Sequence, residues 1–105
     1  MKNVALISGG YSKEDVVSFN SAKEIAESMD KSRFRVFLIL INREKCVYID
    51  EAKNEFPIDK NDFTTNCQGE RITFDVALIT IHGTPGEDGK LQGFFDMIGL
   101  PYTTC

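Results

Sequence analysis

The stretch "NVALIS", residues 3–8, is an almost continuous apolar run that ends at the pair Gly9-Gly10. An apolar run of this length, bounded by turn residues, is typical of a β-strand that is buried on both faces. Similar runs follow at residues 36–41 ("VFLILI") and 75–81 ("DVALITI"). Strands buried on both faces occur mainly in parallel sheets that helices cover on both sides, so this pattern predicts an α/β fold.

Two helices are predicted between these strands. In the first, over about residues 13–30, Ser12 and Asp15 have the spacing of a capping box. Its apolar residues recur at helical spacing: Val16, Phe19, Ala22, Ile25, Ala26 and Met29. The second is predicted over "KLQGFFDMI", residues 90–98, where the apolar residues form one stripe and Gly99 ends the helix.

The order of these segments predicts a β-α-β unit, an insert, and a second β-α-β unit that ends with "PYTTC", residues 101–105. Because crossovers are right-handed, the strands should lie in the order second, first, third, fourth. The prediction is thus a Rossmann-like parallel sheet with order 2-1-3-4 and helices on both faces. Residues 44–71 are interpreted as a small hairpin insert, with Pro57 at an edge.

The winding direction of such a sheet reverses between the first and third strands, and ligands bind outside the carboxyl ends of the strands at that reversal. The first strand ends at Ser8-Gly9-Gly10 and the third at Ile81-His82. We therefore expect the two loops that follow these strands to face one crevice.

Composition narrows the possible functions of the chain. Its 105 residues suit one domain, and 12 Lys and Arg against 16 Asp and Glu give a net charge of −4. The cations are not clustered, so binding to nucleic acid or to an anionic membrane surface is not expected.

Targeting and cysteine signals are weak. The apolar part of the N-terminus is too short for a secretory signal, and no run approaches the length needed to span a membrane. The three cysteines, Cys46, Cys67 and Cys105, are odd in number and widely spaced, without a C-x-x-C pair. This pattern predicts a reduced cytoplasmic setting and no zinc site.

The loop "HGTPGEDG", residues 82–89, contains three glycines and the only histidine of the chain. It is not a Walker A loop, because the glycine spacing is one residue too long and Leu91 replaces the required Ser or Thr. Glu87 and Asp88 would also repel a phosphate. Five glycines are predicted to shape the two loops: Gly9, Gly10, Gly83, Gly86 and Gly89.

Glu14 and His82 are the candidate polar groups of the crevice, and each has a structural alternative. Glu14 is either an acid that interacts with the helix dipole or a carboxylate that receives a ligand ammonium. His82 is either a structural histidine, a partner of a ligand carboxylate, or a group that orients Glu14. No second histidine or cysteine stands near it, so no metal site is predicted. Ser18 has no local base that would make it a nucleophile.

Two segments carry a family resemblance. "ALISGGYSKEDVVSFNSA", residues 5–22, resembles the opening G-G-x-S-x-E-x-x-V-S of D-alanine–D-alanine ligases. "HGTPGEDGKLQGFFDMIGLPYTTC", residues 82–105, resembles the family's H-G-x-x-G-E-D-G-x-x-Q-G segment and the I-P-Y that follows. Together these motifs cover nearly half of the chain. The resemblance implies that residues 1–105 are the N-terminal substrate-binding domain of a longer chain, which would continue with an ATP-grasp region.

The resemblance also implies an activity for the whole enzyme. With ATP and Mg²⁺, bound by the remaining region, it phosphorylates the carboxylate of one D-alanine, and the amine of a second D-alanine attacks the acyl phosphate. The dipeptide serves peptidoglycan synthesis in the bacterial cytoplasm. By resemblance, Glu14 binds the ammonium of the first D-alanine, Val17 packs near its methyl group, Ser18 belongs to the same wall, and His82 lies beside it. These 105 residues would include no catalytic residue, be inactive alone, and belong to a homodimer.

Two alternatives remain open from the sequence. A flavodoxin-like module would be a receiver or a small-ligand sensor, but a receiver needs clustered acids where this chain has Ser8-Gly9-Gly10. A related ligase that makes D-alanyl-D-lactate is also compatible, because specificity for the second substrate would lie mostly outside these residues.

Overall fold

The computed structural model describes residues 1–9, 15–41, 45–80 and 90–104. The elements are, in chain order, β1 (Lys2–Gly9), α1 (Asp15–Ser28), β2 (Phe34–Ile41), β3 (Cys46–Ile49), β4 (Glu55–Asp59), β5 (Thr64–Cys67), β6 (Glu70–Ile72), β7 (Val76–Ile79), α2 (Lys90–Ile98) and β8 (Tyr102–Thr104). The strands form one sheet in the order β6-β5-β4-β3-β2-β1-β7-β8. The fold is therefore a mixed α/β sheet.

One half of the sheet is parallel. β1 pairs with β2 and with β7, and β7 pairs with β8, all in parallel. We call β2, β1, β7 and β8, which lie in that order, the parallel half. β1 is buried from Val4 to Gly9, which explains its unbroken apolar run because both of its faces are covered.

The other half corrects the Rossmann-like prediction. Residues 44–71 were predicted to be a small hairpin insert, but β3, β4, β5 and β6 continue the same sheet from the outer edge of β2. All four pair antiparallel with their neighbours. Short connections can join only antiparallel strands, because a parallel neighbour requires a long crossover. We call these four strands the antiparallel half.

Pro57 lies within β4, and not at an edge of the sheet as predicted. β4 pairs with β3 through residues 55–57 and with β5 through Ile58 and Asp59. The proline is thus the last residue paired with β3, and pairing with β5 starts after it. Proline is tolerated there because the residue does not have a hydrogen-bonded ladder on both sides.

The sheet curls strongly. The Arg35 guanidinium of β2 lies 3.3 Å from a carboxylate oxygen of Glu70 in β6, although four strand spacings of a flat sheet would separate them by about 19 Å. Phe37 of β2 and Phe74, which lies two residues after β6, have ring centroids 5.5 Å apart. The antiparallel half therefore folds back over one face of the parallel half.

The core fills the inside of this curl. Phe95 of α2 is fully buried and makes an edge contact with Phe63, with 5.0 Å between the ring centroids. Phe63 also contacts Phe74 and Phe94. The core draws buried residues from both halves of the sheet and from α2: Ala5, Ile7, Phe37, Ile39, Ile41, Ile58, Phe63, Ile72, Ala77, Ile79 and Phe95.

The two helices lie on opposite faces of the sheet. α2 contributes Phe95 to the core inside the curl, whereas Lys23 and Ala26 of α1 line a groove with Val36 and Leu38 on the other face of β2. α2 ends as predicted. Gly99 has φ +74°, the Leu100 N–H donates to the Phe95 carbonyl (3.0 Å), and the Gly99 N–H donates to the carbonyl two residues before the helix end (3.3 Å).

Candidate functional site

The candidate site starts from the carboxyl ends of β1 and β7, which are neighbours. Ile7 of β1 is opposite Ile79 of β7 in a parallel ladder, and the Thr80 N–H continues that ladder by donating to the Ile7 carbonyl at 2.9 Å. Residues 10–14 follow β1, and residues 81–89 follow β7. The two segments that carry the motifs therefore leave one edge of the sheet from adjacent strands.

Gly9, the last residue of β1, has a conformation that requires glycine. Its φ is +107°, and a Cβ atom added there would overlap the Ile41 carbonyl oxygen and lie 3.0 Å from Leu40 Cδ1. This close approach fits the predicted loop-shaping role of Gly9. The other predicted loop glycines, Gly10, Gly83, Gly86 and Gly89, lie outside the described residues.

Two buried hydroxyls lie at the same edge. Ser8 Oγ donates to the Ile39 carbonyl at 3.2 Å, and Thr80 Oγ1 donates to the Ile7 carbonyl at 2.6 Å. Ser8 is completely buried, and Thr80 is 5% exposed. We refer to Ser8 and Thr80 as the strand-end hydroxyls. Thr80 was not among the residues predicted for the site, although a polar residue inside an otherwise apolar run was a signal for it.

The predicted substrate-binding residues stay predictions. Glu14 and His82 lie outside the described residues. Val17 and Ser18 lie on the first turn of α1, but the description of that turn covers only its backbone. The ends of β1 and β7 therefore show only where the chain enters the segments that contain Glu14 and His82.

Among the described residues near this edge, Cys46 is the ionisable group with the largest pKa shift. It opens β3 opposite Ile41, and Ile41 is in turn opposite Gly9. Burial raises the pKa of the Cys46 thiol to about 11, with a smaller opposing effect from Lys60. The thiol is therefore protonated at neutral pH and is a poor nucleophile or metal ligand.

The described ranges, residues 1–9, 15–41, 45–80 and 90–104, contain neither a metal site nor a membrane-spanning helix. In those ranges no group of three or more His, Cys, Asp or Glu side chains is placed to hold a metal ion. Neither helix of this part of the chain is long and apolar enough to cross a membrane.

Comparison with known proteins identifies the family. Residues 3–105 match the family described as D-ala D-ala ligase N-terminus. The D-alanine–D-alanine ligase of Azobacteroides pseudotrichonymphae is 51% identical over 105 residues, which are 100% of this chain and 32% of that protein. The chain thus spans about a third of the length of the curated relatives it matches.

Solved structures agree with this assignment. D-alanyl-alanine synthetase A from Vibrio cholerae has a TM-score of 0.79 and 28% identity, over 97% of this chain and 30% of that one. D-alanine–D-alanine ligase from Bacillus anthracis, solved in complex with ATP, has a TM-score of 0.66 and 27% identity, over 98% of this chain and 29% of that one. Together with the family match over nearly all of its residues, these similarities show that the chain belongs to the D-Ala-D-Ala ligase N-terminus family.

Proposed function

We propose that these residues are the N-terminal substrate-binding domain of an ATP-dependent ligase that joins two D-alanines into D-alanyl-D-alanine. The observation that carries this proposal is the family match over residues 3–105, in which both motif segments leave adjacent parallel strands at one edge. The match favours this function over the flavodoxin-like receiver or sensor.

The proposed role of this domain is to form one wall of the subsite for the first D-alanine. A zwitterionic amino acid needs an anionic partner for its ammonium, and Glu14, which directly precedes α1, would supply it. Val17 would pack on the methyl group, Ser18 would complete the wall, and His82 would approach from the segment that follows β7. No residue of this chain is assigned a catalytic role.

ATP and Mg²⁺ would be bound by the remainder of the ligase chain. Among the described residues, no group of three or more His, Cys, Asp or Glu side chains is placed to bind the cation. The relative from Bacillus anthracis has been solved with ATP, which supports the nucleotide as the energy source. Mg²⁺ would neutralise the phosphates when bound. We place the enzyme in the bacterial cytoplasm, in peptidoglycan synthesis and as a homodimer.

The test is Glu14→Gln in the whole ligase. Replacing the carboxylate by an amide removes a charge-assisted hydrogen bond of about 1.5–3 kcal/mol, so KM for the first D-alanine should rise by one to two orders of magnitude. Initial rates at varied D-alanine and saturating ATP separate the two amino-acid subsites. Glu24→Gln is the matched control, because Glu24 is an exposed acid on α1.

The outcomes of this test are distinct. A wild-type KM in Glu14→Gln would exclude the ammonium role of Glu14. A wild-type chain that forms no D-alanyl-D-alanine from D-alanine and ATP would exclude the ligase function itself. Tight binding of a flavin by the 105 residues would instead favour the flavodoxin-like module.

A further inference from the structure

We propose that the strand-end hydroxyls, Ser8 and Thr80, are positioning residues for the first D-alanine subsite. They would fix the position of the end of β1 relative to the end of β7. These are the strand ends that precede Glu14 and His82. This inference rests on the proposed function and concerns two residues to which the family motifs give no role.

The hydroxyl of Thr80 ties the end of β7 to β1. β7 ends at Ile79, so Thr80 is the first residue beyond it, and His82 follows two residues later. The Ile7 carbonyl accepts from both the Thr80 N–H (2.9 Å) and the Thr80 hydroxyl (2.6 Å). Two bonds from one residue to one acceptor restrict both the backbone and the side chain of Thr80, and so limit the direction in which the chain continues.

The hydroxyl of Ser8 acts in the same way on the other side of β1. Ser8 Oγ donates to the Ile39 carbonyl of β2 at 3.2 Å, one residue before Gly9. Gly9 in turn lies so close to the Ile41 carbonyl that a Cβ atom would not fit. The end of β1 is therefore held between β2 and Thr80, five residues before Glu14.

The fold alone does not require the Thr80 hydroxyl. Thr80 is buried, and valine has nearly the same shape with an additional apolar methyl group. Because the Thr80 N–H also donates to the Ile7 carbonyl, valine would leave no buried acceptor without a partner. A positioning role explains the hydroxyl better, since a displacement of about 1 Å at a distance from the chemistry can cost about a hundredfold in rate.

The test compares Thr80→Val with Thr80→Ser in the whole ligase. Thr80→Val should raise KM for the first D-alanine about tenfold, while KM for ATP and the urea midpoint of unfolding stay at wild-type values. Thr80→Ser keeps the hydroxyl and should stay within about twofold of the wild-type KM for D-alanine. A change confined to one substrate is not expected from a residue that only stabilises the fold.

Two results would overturn the inference. One is a wild-type KM for D-alanine in Thr80→Val; the other is an equal loss in Thr80→Ser, which would assign the effect to packing of the methyl group. Ser8→Ala provides a second measurement should Thr80→Val not fold, with an expected severalfold rise in the same KM and an unchanged value as the contrary result. Failure of wild-type ligation would refute the proposed function instead.

Discussion

The parallel half and the antiparallel half of the sheet are built by different local rules. Among the described residues of the parallel half, those with positive φ are glycines, Gly9 at the end of β1 and Gly99 after α2. In the antiparallel half, three non-glycine residues, Lys53, Phe63 and Gln68, have positive φ in the short connections between strands. Phe63 is nevertheless buried, with only 3% of its surface exposed.

This contrast indicates how the two halves divide their tasks. The parallel half has long apolar strands, and both motif segments follow its strand ends. The antiparallel half has short strands with exposed ion pairs, and it contributes Phe63 and Ile72 to the core. A strained backbone at Phe63 is maintained because the ring is enclosed by three other aromatic rings. The antiparallel half is thus part of the core and not an appendage.

Phe63→Ala should have the largest effect on the unfolding free energy, because it removes a core ring through which the antiparallel half packs. Truncating a buried phenylalanine costs about 3–5 kcal/mol of unfolding free energy, and alanine does not relieve the positive φ. Urea unfolding followed by circular dichroism measures the loss. Met97→Ala is the control, since Met97 is 86% exposed on α2 and should change stability by less than about 0.5 kcal/mol. Similar losses for both variants would mean that Phe63 does not join the halves.

Gly9→Ala should have the next largest effect and acts within the parallel half. The left-handed φ and the overlap with the Ile41 carbonyl together should cost about 3 kcal/mol. Gly93→Ala is the matched control: Gly93 lies in α2 with open space around it, so alanine should stabilise the helix by up to about 1 kcal/mol. The two substitutions should therefore move the unfolding midpoint in opposite directions, and a neutral Gly9→Ala would contradict the close approach of β1 and β2.

The pH dependence of stability that Cys46 causes is a test of burial at the junction between the halves, where β3 begins. Its folded pKa of about 11 lies above the ordinary value of 9.0 for a thiol, so the folded state favours the neutral form. This stability is fully present below pH 9 and is lost as the pH rises from 9 to about 11. Between pH 8 and pH 10 the loss should be on the order of 1 kcal/mol.

The measurement is the urea midpoint of the wild type and of Cys46→Ala over that pH range. The alanine variant should lack this part of the pH dependence, so the difference between the two proteins isolates the thiol from other groups. Parallel pH profiles would show that the start of β3 is open to solvent.

The ion pair between Arg35 and Glu70 should have the smallest effect, although it joins β2 to β6. Its side chains are 50% and 61% exposed, and exposed pairs contribute about 0.2–1 kcal/mol. A double-mutant cycle with Arg35→Met and Glu70→Gln measures the coupling, which should fall as salt is added. The Lys45–Glu55 pair, within the antiparallel half, gives the comparison. A coupling free energy well above 1 kcal/mol would mean that this ion pair, more than the aromatic core, stabilises the curled arrangement of the sheet.

The same division explains how much could be predicted from the sequence. Burial on both faces leaves unbroken apolar runs, so β1, β2 and β7 could be recognised, and Gly99 marked the end of α2. β5 and β6 are short and polar ("TTNC" and "ERI"), so their pattern is weak. The curl depends on contacts between residues far apart in the chain, such as Arg35 and Glu70, which no local pattern contains.

For the candidate site, the right-handed crossover rule was sufficient to predict that the segments after β1 and β7 leave from adjacent strands. The strand-end hydroxyls were harder to recognise. Thr80 lies within "LITI", where a single hydroxyl between apolar residues is equally compatible with a strand that faces the core. Its bond to the Ile7 carbonyl depends on the register between β1 and β7.

β6 forms one border of the sheet, and an unpaired border strand is a surface on which a foreign strand could add. It has only three residues, and two of them are charged: Glu70 interacts with Arg35, and Arg71 with Asp62 at 2.7 Å. An incoming chain would have to displace these ion pairs and would find little backbone to pair with. The border formed by β6 is therefore a poor template for strand-mediated aggregation.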